Sequence, residues 1–259
     1  MNGSDIAKAL DGDFPLTLAY EWDNVGLMVG TMNKEIRTVL ITLDVTKAVI
    51  DEAMEKGAEL IVSHHPLIFS PLRRIHLDTY KGAMLETLIK HGITVYSAHT
   101  NYDLAEGGMN DMLAEKLGLL NPRILEPTDE THGIGRIGTL QKPLALNDAI
   151  GHVKKSLDIK HARYIGKPKD KTVKTLAVSG GSGADHAAFA KKKGADLYIT
   201  GDVSYHEAHD MMQMGLRVLD VGHTAEKHFK RAMKAWFETS FDSLEVHIHR
   251  DSQDPFTQV

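Results

Sequence analysis

The sequence predicts an α/β fold built from two pseudo-symmetric, intertwined α/β halves, and three observations predict it. Short β-branched runs alternate with amphipathic helical stretches, the strand runs are almost continuously apolar, and two long segments share one pattern. Apolar strands without alternation imply sheets covered on both faces.

Thr38-Val39-Leu40-Ile41-Thr42-Leu43 reads as a strand, Val45 to Lys56 as a helix, and Leu60-Ile61-Val62 as the next strand. A helix near Tyr80 to Lys90, the strand Ile93-Thr94-Val95-Tyr96 and a helix from Met109 to Lys116, closed by Gly118, continue the rhythm. Gly133 to Leu140 reads as a strand, Asn147 to Leu157 as a helix with Asn147 in the capping position, and Lys167-Pro168-Lys169-Asp170-Lys171 as a solvated charged loop. A second copy of the pattern then begins. Gly57-Ala58-Glu59-Leu60-Ile61-Val62-Ser63 matches Gly194-Ala195-Asp196-Leu197-Tyr198-Ile199-Thr200. Downstream, Gly92 to Tyr96 with His99-Thr100 matches Gly215 to Leu219 with His223-Thr224. Two copies are too few for a solenoid. The expected arrangement is a first half over 1–121 and a second over 122–259, with the functional site between them.

The chain has 259 residues, 42% hydrophobic and 25% charged, a balance that excludes disordered, collagen-like and membrane classes. It has no Cys, so disulfides, thiolate nucleophiles and Cys-based zinc or iron–sulfur sites are excluded, and any metal must be held by nitrogen and oxygen. The formal charge is −5, with no basic run longer than Lys191-Lys192-Lys193, which disfavours a nucleic-acid partner. No signal-peptide pattern or long apolar stretch is present, so a cytoplasmic protein without a membrane partner is expected.

Ligands of open α/β sheets bind at the carboxyl ends of strands, and those ends carry metal-ligating side chains. Ser63-His64-His65-Pro66 follows one strand, His99-Thr100-Asn101-Tyr102-Asp103 another, and Gly222-His223-Thr224-Ala225-Glu226 a third. Adjacent His64 and His65 diverge at a strand tip, which suits two ions better than one. His223 and Glu226, three apart at the start of a helix, share one face. With Asp103 they make three imidazoles and two carboxylates, a donor set for two divalent ions of Zn, Fe, Mn or Mg.

Other motifs are weaker. Gly180-Gly181-Ser182-Gly183 follows a strand and opens a helix, so its amides are candidates to cradle an anion, although a tight strand-to-helix turn explains it equally. His206 and His209 share a helical face, and Gly181, Ser182 and His206 are the candidate substrate contacts. Trp22-Asp23-Asn24-Val25-Gly26-Leu27 is a turn by its chemistry. His247 and His249 share one face of a strand and mark an exposed edge, with no role assigned.

In this order the motifs Trp22 to Leu27, Ser63 to Pro66, His99 to Asp103, Gly180 to Gly183, Thr200-Gly201-Asp202 leading to His206, and Gly222 to Glu226 resemble the GTP cyclohydrolase I type 2 homologue (Nif-three-like) family over the whole chain. The resemblance implies two similar halves, a dinuclear metal site and a toroidal homohexamer. It puts His64, His65, Asp103, His223 and Glu226 on ligand positions with His99 beside them as the catalytic candidate, and it matches the compact form without an inserted domain.

The leading expectation is a hydrolase in which a metal-bound hydroxide attacks an anionic nucleotide-like or phosphoester substrate. A metal-binding ring scaffold without turnover, serving regulation or metal trafficking, is the alternative.

Overall fold

The structure, a computed structural model, describes residues 1–167, 172–250 and 255–256. Along the chain the elements are α1 (Gly3–Asp13), β1 (Gly26–Val29), β2 (Thr38–Thr42), α2 (Lys47–Lys56), β3 (Leu60–Ser63), α3 (Tyr80–Lys90), β4 (Thr94–Ser97), α4 (Thr100–Leu104), α5 (Met109–Lys116), β5 (Leu120–Pro127), β6 (Gly133–Leu144), α6 (Leu146–Ser156), β7 (Arg163–Ile165), β8 (Val173–Ser182), α7 (Ala187–Lys192), β9 (Leu197–Gly201), α8 (Tyr205–Gln213), β10 (Val218–Asp220), α9 (Phe229–Ser240) and β11 (Glu245–Ile248). A 3₁₀ turn over His223–His228 precedes α9. Among the described residues no helix is long and apolar enough to cross a membrane.

Two compact units result, Met1–Tyr102 with Lys227–Val259, and Asp103–Glu226. These units divide the chain at other points than the expected halves over 1–121 and 122–259. The chain returns to its first unit because β11 pairs in parallel with β2, and α9 packs on both strands. The first unit's sheet has the order β1-β4-β3-β2-β11; β4, β3, β2 and β11 run parallel and β1 antiparallel to β4. Every residue of β2, β3 and β4 is buried, as uninterrupted apolar runs require. Leu40, Ile61 and Val95 meet Val49, Ile50 and Ala53 of α2 and Leu85 and Leu88 of α3 in one core. The second unit's sheet has the order β5-β6-β8-β9-β10-β7, with β8, β9 and β10 parallel and β5, β6 and β7 paired antiparallel. Its core gathers Ala177, Tyr198 and Val218 with Ala187, Ala190 and Met211.

The duplication extends to single atoms. Glu59 Oε2 accepts from the amides of Arg37 and Thr38 at 3.1 and 2.9 Å, fixing the start of β2. The matching Asp196 Oδ2 accepts from the amides of Lys174 and Thr175 at 2.9 Å each, fixing the start of β8. Both carboxylates reach back by the same separations, 22 and 21 residues.

Several local expectations shift. The helix expected from Val45 starts at Lys47 because the Thr46 side chain caps it, accepting from the Val49 amide. Asn147 is not a cap; α6 starts one residue earlier, after Ala145, without a side-chain cap. His249 lies beyond β11 and is buried, its Nδ1 against Glu52 and its carbonyl accepting from Lys230 Nζ at 2.7 Å, so it does not mark an exposed edge. Of the expected charged loop, residues 168–171 lie outside the described residues.

Candidate metal centre

In the first unit the parallel strands deliver three histidines at their carboxyl ends. The chain leaves β3 through a Ser63 hydroxyl that donates to the His65 carbonyl at 2.9 Å. His64 turns toward β4, its Nδ1 2.7 Å from the Ala98 carbonyl. His65 turns toward β2, its Nδ1 2.7 Å from Asp44 Oδ1. The two rings diverge because each is anchored just beyond the end of a different neighbouring strand. After β4, His99 Nδ1 lies 2.9 Å from both oxygens of Asp23. One ligand nitrogen from each of His64, His65 and His99 falls within 4.8 Å of the other two.

The acceptors decide the tautomers. A carbonyl or carboxylate oxygen is served only by an N–H, so in the neutral ring the proton sits on Nδ1 and Nε2 keeps its lone pair. Asp23 is itself held firmly: Thr100 donates through its hydroxyl at 2.6 Å and its amide at 3.1 Å. Burial pushes the Asp23 carboxyl up, but hydrogen bonds from His99, Thr100 and the Asn24 amide outweigh it and bring it to about 2.

In the second unit, His223 and Glu226 stand on the 3₁₀ turn, not on the α-helical start the spacing suggested. Side chains at i and i+3 eclipse in a 3₁₀ turn, and His223 Nε2 lies 3.0 Å from Glu226 Oε2. His223 Nδ1 meets Asp202 Oδ2 at 2.5 Å, so this imidazole is oriented like the other three. Asp202 has φ +54, a left-handed conformation uncommon for residues other than glycine and most tolerated by Asn and Asp. Glu226 is buried, and its carboxylate lies where Gly181 carries no side chain: a Cβ there, at φ +59, would stand 2.7 Å from Oε1. Gly180 to Ser182 are thus the last residues of β8, with Gly181 making room for a carboxylate. Buried Asp103 sits on α4. Asn110 links these pieces: its amide nitrogen donates to the Asp103 carbonyl at 3.0 Å and its Oδ1 accepts from the Gly180 amide at 3.0 Å.

His206 is exposed on α8, edge-on to Tyr205, and joins no group of potential ligands among the described residues. Ser182 is exposed at the tip of β8. Asp44 and Asn110 carried no sign in the sequence. Asp23 and Asp202 lay in noted motifs, but their role as imidazole acceptors was missed. A usable signal was spacing: Asp44 and His65, and Asp202 and His223, are each 21 residues apart, the length of one strand–helix–strand step here.

The donor set fits divalent metal. Imidazole nitrogens with fixed outer partners, beside carboxylates and without thiolates, are suited to hard or borderline ions. Comparison with known proteins gives the family. The family described as Duf34/NIF3 (NGG1p interacting factor 3) matches residues 1–255. The chain belongs to the DUF34/NIF3 family. This NIF3-family chain is 42% identical over 260 residues to a Clostridium perfringens protein named GTP cyclohydrolase 1 type 2 homolog, covering 99% of each. A Bacillus subtilis protein of the same name is 30% identical over 368 aligned positions; since this chain has 259 residues, that relative carries more than a hundred residues it lacks. Among solved structures, a Bacillus cereus protein related to NIF3 superposes with a TM-score of 0.96 at 34% identity, covering 100% of this chain and 99% of that one.

Proposed function

We propose that this NIF3-family chain is a dinuclear metal-dependent hydrolase of anionic, nucleotide-like or phosphoester substrates, with His64, His65, Asp103, His223 and Glu226 as the metal ligands. The observation that carries the reading is the common setting of four imidazoles: His64, His65, His99 and His223 each direct Nδ1 at a fixed carbonyl or carboxylate. Such outer partners hold a ligand's tautomer and orientation; four at the ends of parallel strands are not needed to build a core. Two bound divalent ions would supply Lewis acidity and a water acidic enough to act as a nucleophile near neutral pH.

The residues divide the remaining work. Asp103 and Glu226 would return −2 against the +4 of two divalent ions, leaving a net +2 to attract an anionic substrate. His99, held by Asp23, keeps a defined Nε2 with which to take or give a proton as the scissile bond breaks. Gly181, Ser182 and His206 are assigned to the substrate side. Assembly as a homohexameric ring belongs to the same reading.

The test is turnover on a panel of nucleotides and phosphate esters before and after chelation, with metal restored. Activity should vanish with chelator and return with a divalent ion, and Asp103→Ala should abolish it while the protein stays folded. Chelator-resistant turnover rejects the mechanism. Full metal occupancy without turnover on any member favours the scaffold alternative.

A further inference from the structure

The turn Trp22 to Leu27 does more than fold the chain. Asp23 anchors His99 and Thr100. Its neighbour Asn24 reaches the loop that follows His65, donating from Nδ2 to the Ile68 carbonyl at 2.6 Å. These bonds hold Trp22 and Phe69 against one another and against His99, with ring centroids 5.9 Å apart for Trp22–Phe69, 6.5 Å for Trp22–His99 and 6.3 Å for Phe69–His99. Tyr20 stacks on Trp22 at 5.5 Å with planes 20° apart, and its amide donates to Thr100 Oγ1 at 3.2 Å. Trp22 is 60% exposed and Phe69 51%. Aromatic rings of this size are ordinarily buried, yet here they are tied down by hydrogen bonds from the same turn and left open beside His99.

We infer that Trp22, with Tyr20 and Phe69, is the platform on which a planar heteroaromatic ring of the substrate stacks, so that the substrate is base-bearing and not a simple sugar or polyol phosphate. The inference rests on the metal-centre reading and narrows its substrate. Two features favour a small planar ligand over a peptide or another protein surface. The rings border His99 directly, so whatever covers them reaches the reacting groups. They are also aromatic and not aliphatic, and stacking on aromatic rings selects π-faces and tolerates different bases. The positive charge of a loaded centre complements the phosphate of the same molecule.

The experiment is calorimetric titration of the metal-loaded protein with a purine nucleoside monophosphate and with ribose 5-phosphate, which carries the same sugar and phosphate without the base. Stacking on one base predicts about 5- to 150-fold tighter binding of the nucleotide. Trp22→Leu should erase that preference, and Trp22→Phe should keep most of it, because Phe preserves a π-face and Leu only apolar area. Equal or absent binding of the two ligands overturns the inference, as does an unchanged preference in Trp22→Leu. A fall in particle mass by light scattering in Trp22→Leu, with affinities unchanged, also overturns it and makes the patch a contact between copies. Metal content measured on the same samples separates the two readings. Metal retained with no base preference removes the platform alone. A base preference lost in Trp22→Leu from protein that takes up no metal removes the centre and keeps the platform.

Discussion

Replacing Gly181 with alanine imposes two costs, and only one of them concerns metal. At φ +59 an alanine is held in the left-handed region, which costs roughly 1–2 kcal/mol and lowers Tm by about 2–8 °C in a chain of this length. Gly118, at φ +65 with nothing within 4 Å of its would-be Cβ, isolates that backbone cost within the same unit. At Gly181 the new Cβ also stands 2.7 Å from Glu226 Oε1, so the carboxylate must retreat by about 0.7 Å to regain ordinary van der Waals contact. Glu226 would then leave its position beside His223. Loss of outer support of a metal ligand typically weakens metal binding about 10- to 100-fold, and a displaced ligand should do at least as much. The assay is metal content after dialysis against graded chelator, with thermal scans of the metal-free proteins. The two variants should lose similar Tm, and only Gly181→Ala should lose metal. Gly181→Ala binding metal as tightly as Gly118→Ala would refute Glu226 as a ligand.

The same geometry sets further outcomes. Asp44→Ala and Asp202→Ala free Nδ1 of His65 and His223, and each should weaken metal binding about 10- to 100-fold in competition with a chelating dye; unchanged affinity would show the pairs to be incidental. Elemental analysis should find close to two ions per chain, with Glu226→Ala lowering occupancy more than His206→Ala, since His206 joins no ligand group among the described residues. Tyr96 is pushed up from 10.0 to about 12, by burial first and then by Asp11. A phenol with a raised folded-state pKa contributes stability that is full below pH 10 and lost as pH climbs toward 12, on the order of 2–3 kcal/mol. Thermal unfolding of Tyr96→Phe should therefore fall less steeply than wild type over that range, and parallel curves would assign the loss elsewhere. Light scattering should report six copies, and a monomer at micromolar concentration would remove the ring.

The candidate ligand residues were legible because strands end where apolar runs end, and each run gives way to a short string of potential ligands: His64-His65, His99 to Asp103, His223 to Glu226. Helix positions were equally legible where a cap or a glycine sits beside the helix, as at Tyr80–Lys90 and Met109–Lys116. The repeated Gly-Ala-acid step disclosed the duplication, and the reach of Glu59 and Asp196 to the strand starts shows why the acid recurs.

What sequence alone determined was therefore local or periodic: strand and helix positions, the duplication, and the residue types at strand ends. Tertiary structure decided which carboxylate faces which imidazole, that Gly181 makes room for Glu226, and that Trp22 stays open while the side chain of Asp23 beside it is covered. It also decided that 227–259 rejoins the first unit, where β11 takes up hydrogen bonds along β2. The physical reason is the range of the forces involved. Apolar periodicity and capping act within a turn or a strand and leave their pattern on neighbouring residues. A hydrogen bond such as Asp23–His99 joins groups 76 residues apart, and only the folded backbone brings them within reach.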